Sequence, residues 1–343
     1  MEVYGNKRVL KERRYWLALH PDIKRPIGGA KQAHRLVEAL NLCGREASII
    51  QESEGFHPGW FESKVPTISI DKFKAYDLNA NHDVIIMPET FLPAVPKYAS
   101  GIPKIIFNQN SSYTFGFKEG DGFPKPREIV EIYQHSDIIH IICISEYDKV
   151  FISSVLGIKP SRVSKLINGI EIDLFKPKGI KKKQIAYMPR KNKRDSEIIT
   201  ELIKTKPWFA KEGWQVVAID KMSQTDVAKI LQESMIFLAF GHPEGFGLPL
   251  AEATACGCFT IGYSGIGGRE IFKIAEACGV GHNVEYGDLI GFMDGIENFR
   301  TNLNSNKTKL IQSLQKMSYR IREKYGPMEM INSVRASLAN WEQ

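Results

Sequence analysis

The stretch "GHPEGFGLPLAEATACG", Gly241–Gly257, decides how this chain is read. It follows "MIFLAF", Met235–Phe240, an unbroken apolar run of the kind that forms a strand buried on both faces of a parallel sheet. Pro249 suits the first turn of a helix, where a missing N–H costs nothing, and Gly257 supplies a stop. The unit is therefore strand, glycine-rich loop, helix. Gly245 and Gly247 let backbone amides come close to a ligand, and the free N–H groups of the helix start attract anionic or hydroxyl-bearing groups. Glu244 stands before that helix and Glu252 within its first turns. Two carboxylates flanking an amide-lined loop suit a ligand with hydroxyls at both ends and negative charge between them, because a diol donates two hydrogen bonds to one carboxylate. Taken singly, each glutamate also fits a helix start or a turn cap.

The same alternation runs outward in both directions. "YWLAL" near Tyr15, "DVIIMP" at Asp83–Pro88, "KIIFN" at Lys104–Asn108 and "IIHIICIS" at Ile138–Ser145 read as strands. "GGAKQAHRLVEALNLCG" carries a helical stripe at Ala33, Leu36, Val37 and Leu40, closed by Gly44. The pattern breaks at "GIKPSRVSKLINGIEIDLFKPKGIKKK", a proline-punctuated connector, and resumes with "QIAYMP", a helix from Ser196, "WQVVAID", "QTDVAKILQES" and, past the opening stretch, "CFTIGYS". At 343 residues the chain has the length of two domains. Two doubly wound α/β units with parallel sheets should face each other, with a ligand cleft at the carboxyl ends of their strands.

Hydrophobic residues at 43% and charged residues at 25% are those of an ordinary folded protein. No apolar run has membrane-spanning length and the first residues are too charged for a secretory core, which places the expected location in the cytoplasm. Five scattered cysteines without CxxC spacing argue against a disulfide framework or zinc site. The net charge of +7 favours an anionic partner. Basic residues gather in "NKRVLKERR" and between Lys178 and Arg194, which suggests contact with an anionic membrane surface at the cytoplasmic face, where lipid-linked or polysaccharide acceptors lie. No RNP-like, zinc-finger or basic heptad pattern supports nucleic-acid binding.

"EGFGLPLAE" resembles the E-x7-E motif of the retaining glycosyltransferases of family 4, which have the GT-B fold. The resemblance extends through "LINGIEIDLFKP" and "YSGIGGREIF", where Glu270 matches a recurrent glutamate. It implies a nucleotide-sugar donor, with Glu252 on the ribose, Glu244 on the donor sugar and the amides of Gly245, Phe246, Gly247 and Leu248 on sugar and phosphate. It also implies an acceptor-side domain over residues 1–163, a donor domain over 164–322 and a final helical segment, 323–343, packing back on the first domain. In "YMPRKNKRDS" Arg190 matches the diphosphate arginine, with Lys193 or Arg194 as its partner; two cations there would neutralise the charge on a departing nucleoside diphosphate. Gly28 and Gly29, in "RPIGGAKQ", are similar to the family's diphosphate glycine pair, although turn chemistry also explains a lone Gly-Gly.

One passage departs from the family. Where many members carry a first-domain histidine, this chain has Asn108, Gln109 and Asn110, whose amides suit sugar hydroxyls but cannot act as a base. No acidic triplet of the metal-holding kind is evident, so transfer to an acceptor hydroxyl without metal or other cofactor is expected. A nucleotide-sugar epimerase or hydrolase, and a non-catalytic sugar-nucleotide-binding protein, are the alternatives on the same fold. A nicotinamide dehydrogenase is disfavoured, since neither glycine cluster reads GxGxxG.

Overall fold

The computed structural model describes residues 13–116 and 122–342. The "NKRVLKERR" cluster lies mostly outside them. Seven strands form the first sheet: β1 (Arg14–Ala18), β2 (Glu46–Gln51), β3 (Thr67–Ser69), β4 (Asp83–Pro88), β5 (Lys104–Asn108), β6 (Ile138–Cys143) and β7 (Val163–Lys165). Five form the second: β8 (Lys182–Tyr187), β9 (Gln215–Ala218), β10 (Ser234–Ala239), β11 (Phe259–Tyr263) and β12 (Gly281–Val284). The orders are β3-β2-β1-β4-β5-β6-β7 and β12-β11-β10-β8-β9, and every pairing is parallel.

Burial on both faces explains the central strands. All six residues of β4 and all five of β5 are buried; the apolar runs Val84–Met87 and Ile105–Phe107 fill the middle of a helix-covered parallel sheet, and Asp83 and Lys104 at the strand starts are paired with Arg14 and Asp137. The helix Gly28–Leu42 presents Ala33, Leu36, Val37 and Leu40 to the first sheet, and Gly44 follows at φ +78, the left-handed position that ends a helix without Cβ strain. Strands β2, β3, β7 and β12 were not among the runs singled out from the sequence. Three of these, β3, β7 and β12, are edge strands of three, three and four residues, too short to set up a pattern. Because β7 pairs with β6 up to Lys165, the division expected after residue 163 falls inside a strand of the first sheet.

One apolar core runs through both halves, joining Leu17 and Ile49 of the first sheet to Ile236 and Ile261 of the second by way of Leu166, Ile170 and Phe175 in the connector. The last helix, Pro327–Trp341, returns to the first sheet. Trp341 meets Tyr15 edge-on at 6.4 Å, and Glu342 accepts hydrogen bonds from Tyr15 Oη (3.0 Å) and Arg45 Nε (2.7 Å). In the second sheet the chain leaves β8 toward β9 on one side and crosses to β10 on the other. The connections that follow β8 and β10 therefore run toward opposite sides of the sheet, and that switch point is where a ligand crevice can open.

Candidate active site

The loop after β10 and the loop after β11 are built against each other. Glu244 N–H donates to the Gly265 carbonyl at 2.8 Å, and Gly267 N–H donates to the Glu244 carbonyl at 3.0 Å. A β-carbon on Gly267 would lie 1.8 Å from the Gly245 oxygen, so the glycines of "YSGIGG" are required by this loop–loop contact. Gly247 adopts φ +83 and opens the helix Leu248–Ala255, with Pro249 in its first turn. The Phe246 ring turns inward onto Tyr325, at 5.1 Å.

A cavity of about 450 Å³, within the size range of small-molecule sites, opens beside Glu244. Arg190 and Lys191 line it from the loop after β8, Asp220 and Lys221 from the loop after β9, and Arg25 reaches it from the first domain. Lys191 Nζ stands 3.0 Å from Glu244 Oε1, donates to the Pro243 carbonyl at 2.7 Å and lies 5.8 Å over the Tyr113 ring of the first domain. Asn192, at φ 50 in a conformation Asn tolerates, donates through Nδ2 to the carbonyls of Phe240 (2.7 Å) and His242 (3.0 Å). This ties the cation loop to the glutamate loop. Arg190 is exposed and has no ion-pair partner among the described residues.

The anticipated partners of Arg190, Lys193 and Arg194, lie away from the cavity. Lys193 and Arg194 stand on the outer face of the helix Lys193–Lys204; Lys193 is 75% exposed and pairs at 3.5 Å with Glu197, and neither residue lines the cavity. Helix geometry explains this placement: the helix begins at Lys193, and its first turn carries both residues away from the loop that Arg190 and Lys191 occupy. Spacing counted along the sequence could not place that helix start. The neighbouring lysines are engaged within the second domain: Lys181 donates to the Ser234 carbonyl (2.7 Å), Lys182 to Glu233 (2.7 Å) and Lys183 to the Glu212 carbonyl (3.0 Å).

Glu252 lies deeper than a simple cleft residue. Its side chain is 8% exposed and absent from the cavity wall, although Pro249, one turn earlier on the same helix face, does line the cavity. Glu252 Oε1 accepts from Lys31 Nζ at 3.1 Å, across the domain interface. Burial pushes its carboxyl up to about 7 while Lys31 pulls the other way. Lys31 and its second partner, Glu171, were not anticipated; Glu171 sits in the quoted connector, but nothing local marks it.

From the first domain, Gly28 and Gly29 open the helix Gly28–Leu42, directed at the second domain. A β-carbon on Gly28 would meet Leu248 Cδ2 at 3.5 Å, and one on Gly29 would meet Gln109 Oε1 at 3.2 Å. Two helix starts thus converge at the interface. Asn108 and Asn110, expected to face a sugar, have internal tasks instead. Asn108 is buried and donates to Thr114 Oγ1 and Tyr133 Oη, both at 3.0 Å; Asn110 Oδ1 accepts from Ser112 N–H at 3.0 Å and caps a turn. Asn108 is thus held by side chains of its own domain and Asn110 by a backbone N–H of the turn that follows. In this passage the backbone that meets the second domain is that of Gln109, whose carbonyl lies against Gly245, and of Asn110, whose α-carbon lies beside it. Glu270 bridges the halves, accepting from Glu146 N–H (2.7 Å) and Lys165 Nζ (2.8 Å).

Two facing parallel-sheet domains with a cleft at their strand ends define a GT-B protein, and comparisons with known proteins agree. Residues 208–298 match the family model described as Glycosyl transferases group 1. The chain is 30% identical over 191 residues to an alpha-1,6-glucosyltransferase of Actinobacillus pleuropneumoniae serotype 7, covering 54% of each protein, so it spans about half the length of that curated relative. Solved structures with the same fold include a sucrose-phosphate synthase from Thermosynechococcus elongatus (TM-score 0.68, 13% identity, 96% of this chain and 98% of that one). HepE of Anabaena in complex with UDP-glucose (0.67, 13%, 95% and 99%) and TarM of S. aureus in a complex that includes UDP (0.70, 10%, 96% and 100%) also share it. Among the described residues, no helix is long and apolar enough to cross a membrane, and no three His, Cys, Asp or Glu side chains gather as a metal-ligand set.

Proposed function

We propose that the chain is a retaining glycosyltransferase of the E-x7-E type that moves a sugar from a nucleoside diphosphate to an acceptor hydroxyl, without a metal. The observation that carries this reading is the placement of Arg190, Lys191 and Glu244 on one cavity wall at the switch point of the second sheet. Lys191 takes the diphosphate role first considered for Lys193 or Arg194. The relative's printed activity and the UDP-glucose in one structural neighbour's title make UDP-glucose the donor to test first. A sugar or a lipid-linked sugar is the proposed acceptor.

In this mechanism the diphosphate lies against Arg190 and Lys191, the donor sugar donates hydroxyls to Glu244, and the ribose diol reaches Glu252 at the inner end of the helix face that begins with Pro249. The bond between the anomeric carbon and the phosphate oxygen breaks as the acceptor oxygen bonds the same face of that carbon. The acceptor proton passes to the departing phosphate oxygen. Arg190, Lys191 and the N–H groups of the helix start stabilise the charge that develops there.

Transfer from UDP-glucose to an acceptor panel, measured for wild type and for Glu244→Ala, Glu252→Ala and Arg190→Ala, tests this. All three variants should lose most turnover; three near-normal rates would refute the assignment. Donor consumption without any acceptor would point instead to hydrolysis or epimerisation.

A further inference from the structure

Lys31 is a cation with almost no access to water, its side chain only 1% exposed. It belongs to the first domain, yet its ammonium lies 2.6 Å from Glu171 Oε2 in the connector and 3.1 Å from Glu252 Oε1 in the second domain. The two carboxylates are unequally supported. Glu171 also accepts from Arg35 Nη2 (2.8 Å) and Nε (3.1 Å) and from Gln224 Nε2 (2.9 Å). Glu252 has Lys31 as its only side-chain donor among the described residues, and that bond goes to Oε1.

A buried carboxylate that loses its counter-charge takes up a proton, and the protonated acid becomes a donor with a free rotor. Its protonated oxygen then donates instead of accepting, so the acid offers a diol fewer accepting lone pairs than the carboxylate does. We infer that Lys31 is the positioning residue for Glu252: it fixes Oε1 from the opposite domain and leaves Oε2 to accept from the ribose of a bound nucleotide. This rests on the reading of Glu252 given above. It adds that the donor grip is completed by a side chain of the acceptor-side domain, so nucleotide affinity depends on the two domains being together.

The experiment is equilibrium binding of UDP, with GDP and ADP in parallel, to wild type, Lys31→Arg, Lys31→Gln and Lys31→Met, with KM and kcat for UDP-glucose. Lys31→Gln and Lys31→Met should each raise the nucleotide Kd about tenfold or more, the effect of removing a charged partner from a buried hydrogen bond. Lys31→Arg should restore most of the affinity, and the donor KM should change more than kcat. A merely structural lysine would shift the melting temperature and leave Kd near wild type, which overturns the proposal. Tighter UDP binding by Lys31→Gln also overturns it, because the pair would then be a latch that the ribose has to break. If Lys31→Met fails to fold, Lys31→Gln makes the same comparison with a neutral donor in place. Wild type that binds none of the three nucleotides sinks both this inference and the proposed function; wild-type binding without a Lys31 effect sinks this one alone.

Discussion

The α-carbon of Gly245 faces the carbonyl oxygen of Gln109 so closely that a β-carbon there would lie 1.7 Å from it. Gly245 belongs to the glycine-rich loop of the second domain and Gln109 directly follows β5 in the first, so two backbones touch across the cleft. Flexible side chains can move aside; here the obstacle is main chain on both sides.

Gly245→Ala is therefore expected to push the domains apart at the reacting end of the cleft. A displacement of this kind costs about a hundredfold in turnover, while stability falls by about 1–3 kcal/mol. Gly28→Ala, where the added carbon makes an ordinary contact at 3.5 Å, should stay near wild type. Steady-state kinetics and thermal melting of the two variants separate these outcomes, and equal behaviour would remove the backbone contact from the argument.

Arg190→Ala and Lys191→Ala should each lower donor turnover about a hundredfold, the scale seen when one charge-stabilising donor is removed. Lys193→Ala and Arg194→Ala should have little effect, since both side chains lie outside the cavity. The reverse ranking would return the diphosphate to the outer face of the helix Lys193–Lys204.

Chelation gives an independent check. With Arg190 and Lys191 supplying the positive charge, EDTA treatment followed by desalting should leave the rate unchanged. Activity restored only by Mg²⁺ or Mn²⁺ would contradict the metal-free mechanism.

Stability should depend on pH with a definite sign. Burial pushes Glu89 up from 4.5 to about 8 and Glu252 up to about 7. The folded protein then holds protons that the unfolded chain releases, so the stability linked to these groups is present at low pH and lost as pH rises from 4.5 toward 8. His34 and His140, held down to about 4 by burial, act in the opposite sense: their contribution is lost as pH falls from 6.5 toward 4. The melting temperature should pass through a maximum in the weakly acidic range. Glu89→Gln should flatten the alkaline side, and an unchanged slope in that variant would exclude Glu89 as its source.

"DVIIMP" and "KIIFN" announced β4 and β5 residue for residue, because the middle of a strand buried on both faces is a continuous apolar run, while the polar residues at the ends, Asp83, Lys104 and Asn108, are buried with partners of their own. Edge strands such as β7 and β12 carry no such demand and left no pattern. Glu244 was legible for a similar reason, its loop, proline and glycines being local requirements of a strand–loop–helix turn. Asn108 shows the limit: its residue type suited a sugar, yet Thr114 and Tyr133 had already taken its amide.

By itself the sequence determined the two parallel-sheet halves, the glycine-rich turn and the carboxylate beside it, because hydrophobic period and backbone conformation are settled within a few residues. Only the tertiary structure decided that Lys191 rather than Lys193 meets Glu244, and that Lys31 meets Glu252 from 221 positions away. Those pairings depend on where a helix starts and how two domains close, and ion pairs between distant segments impose no spacing on the chain that could be read in advance.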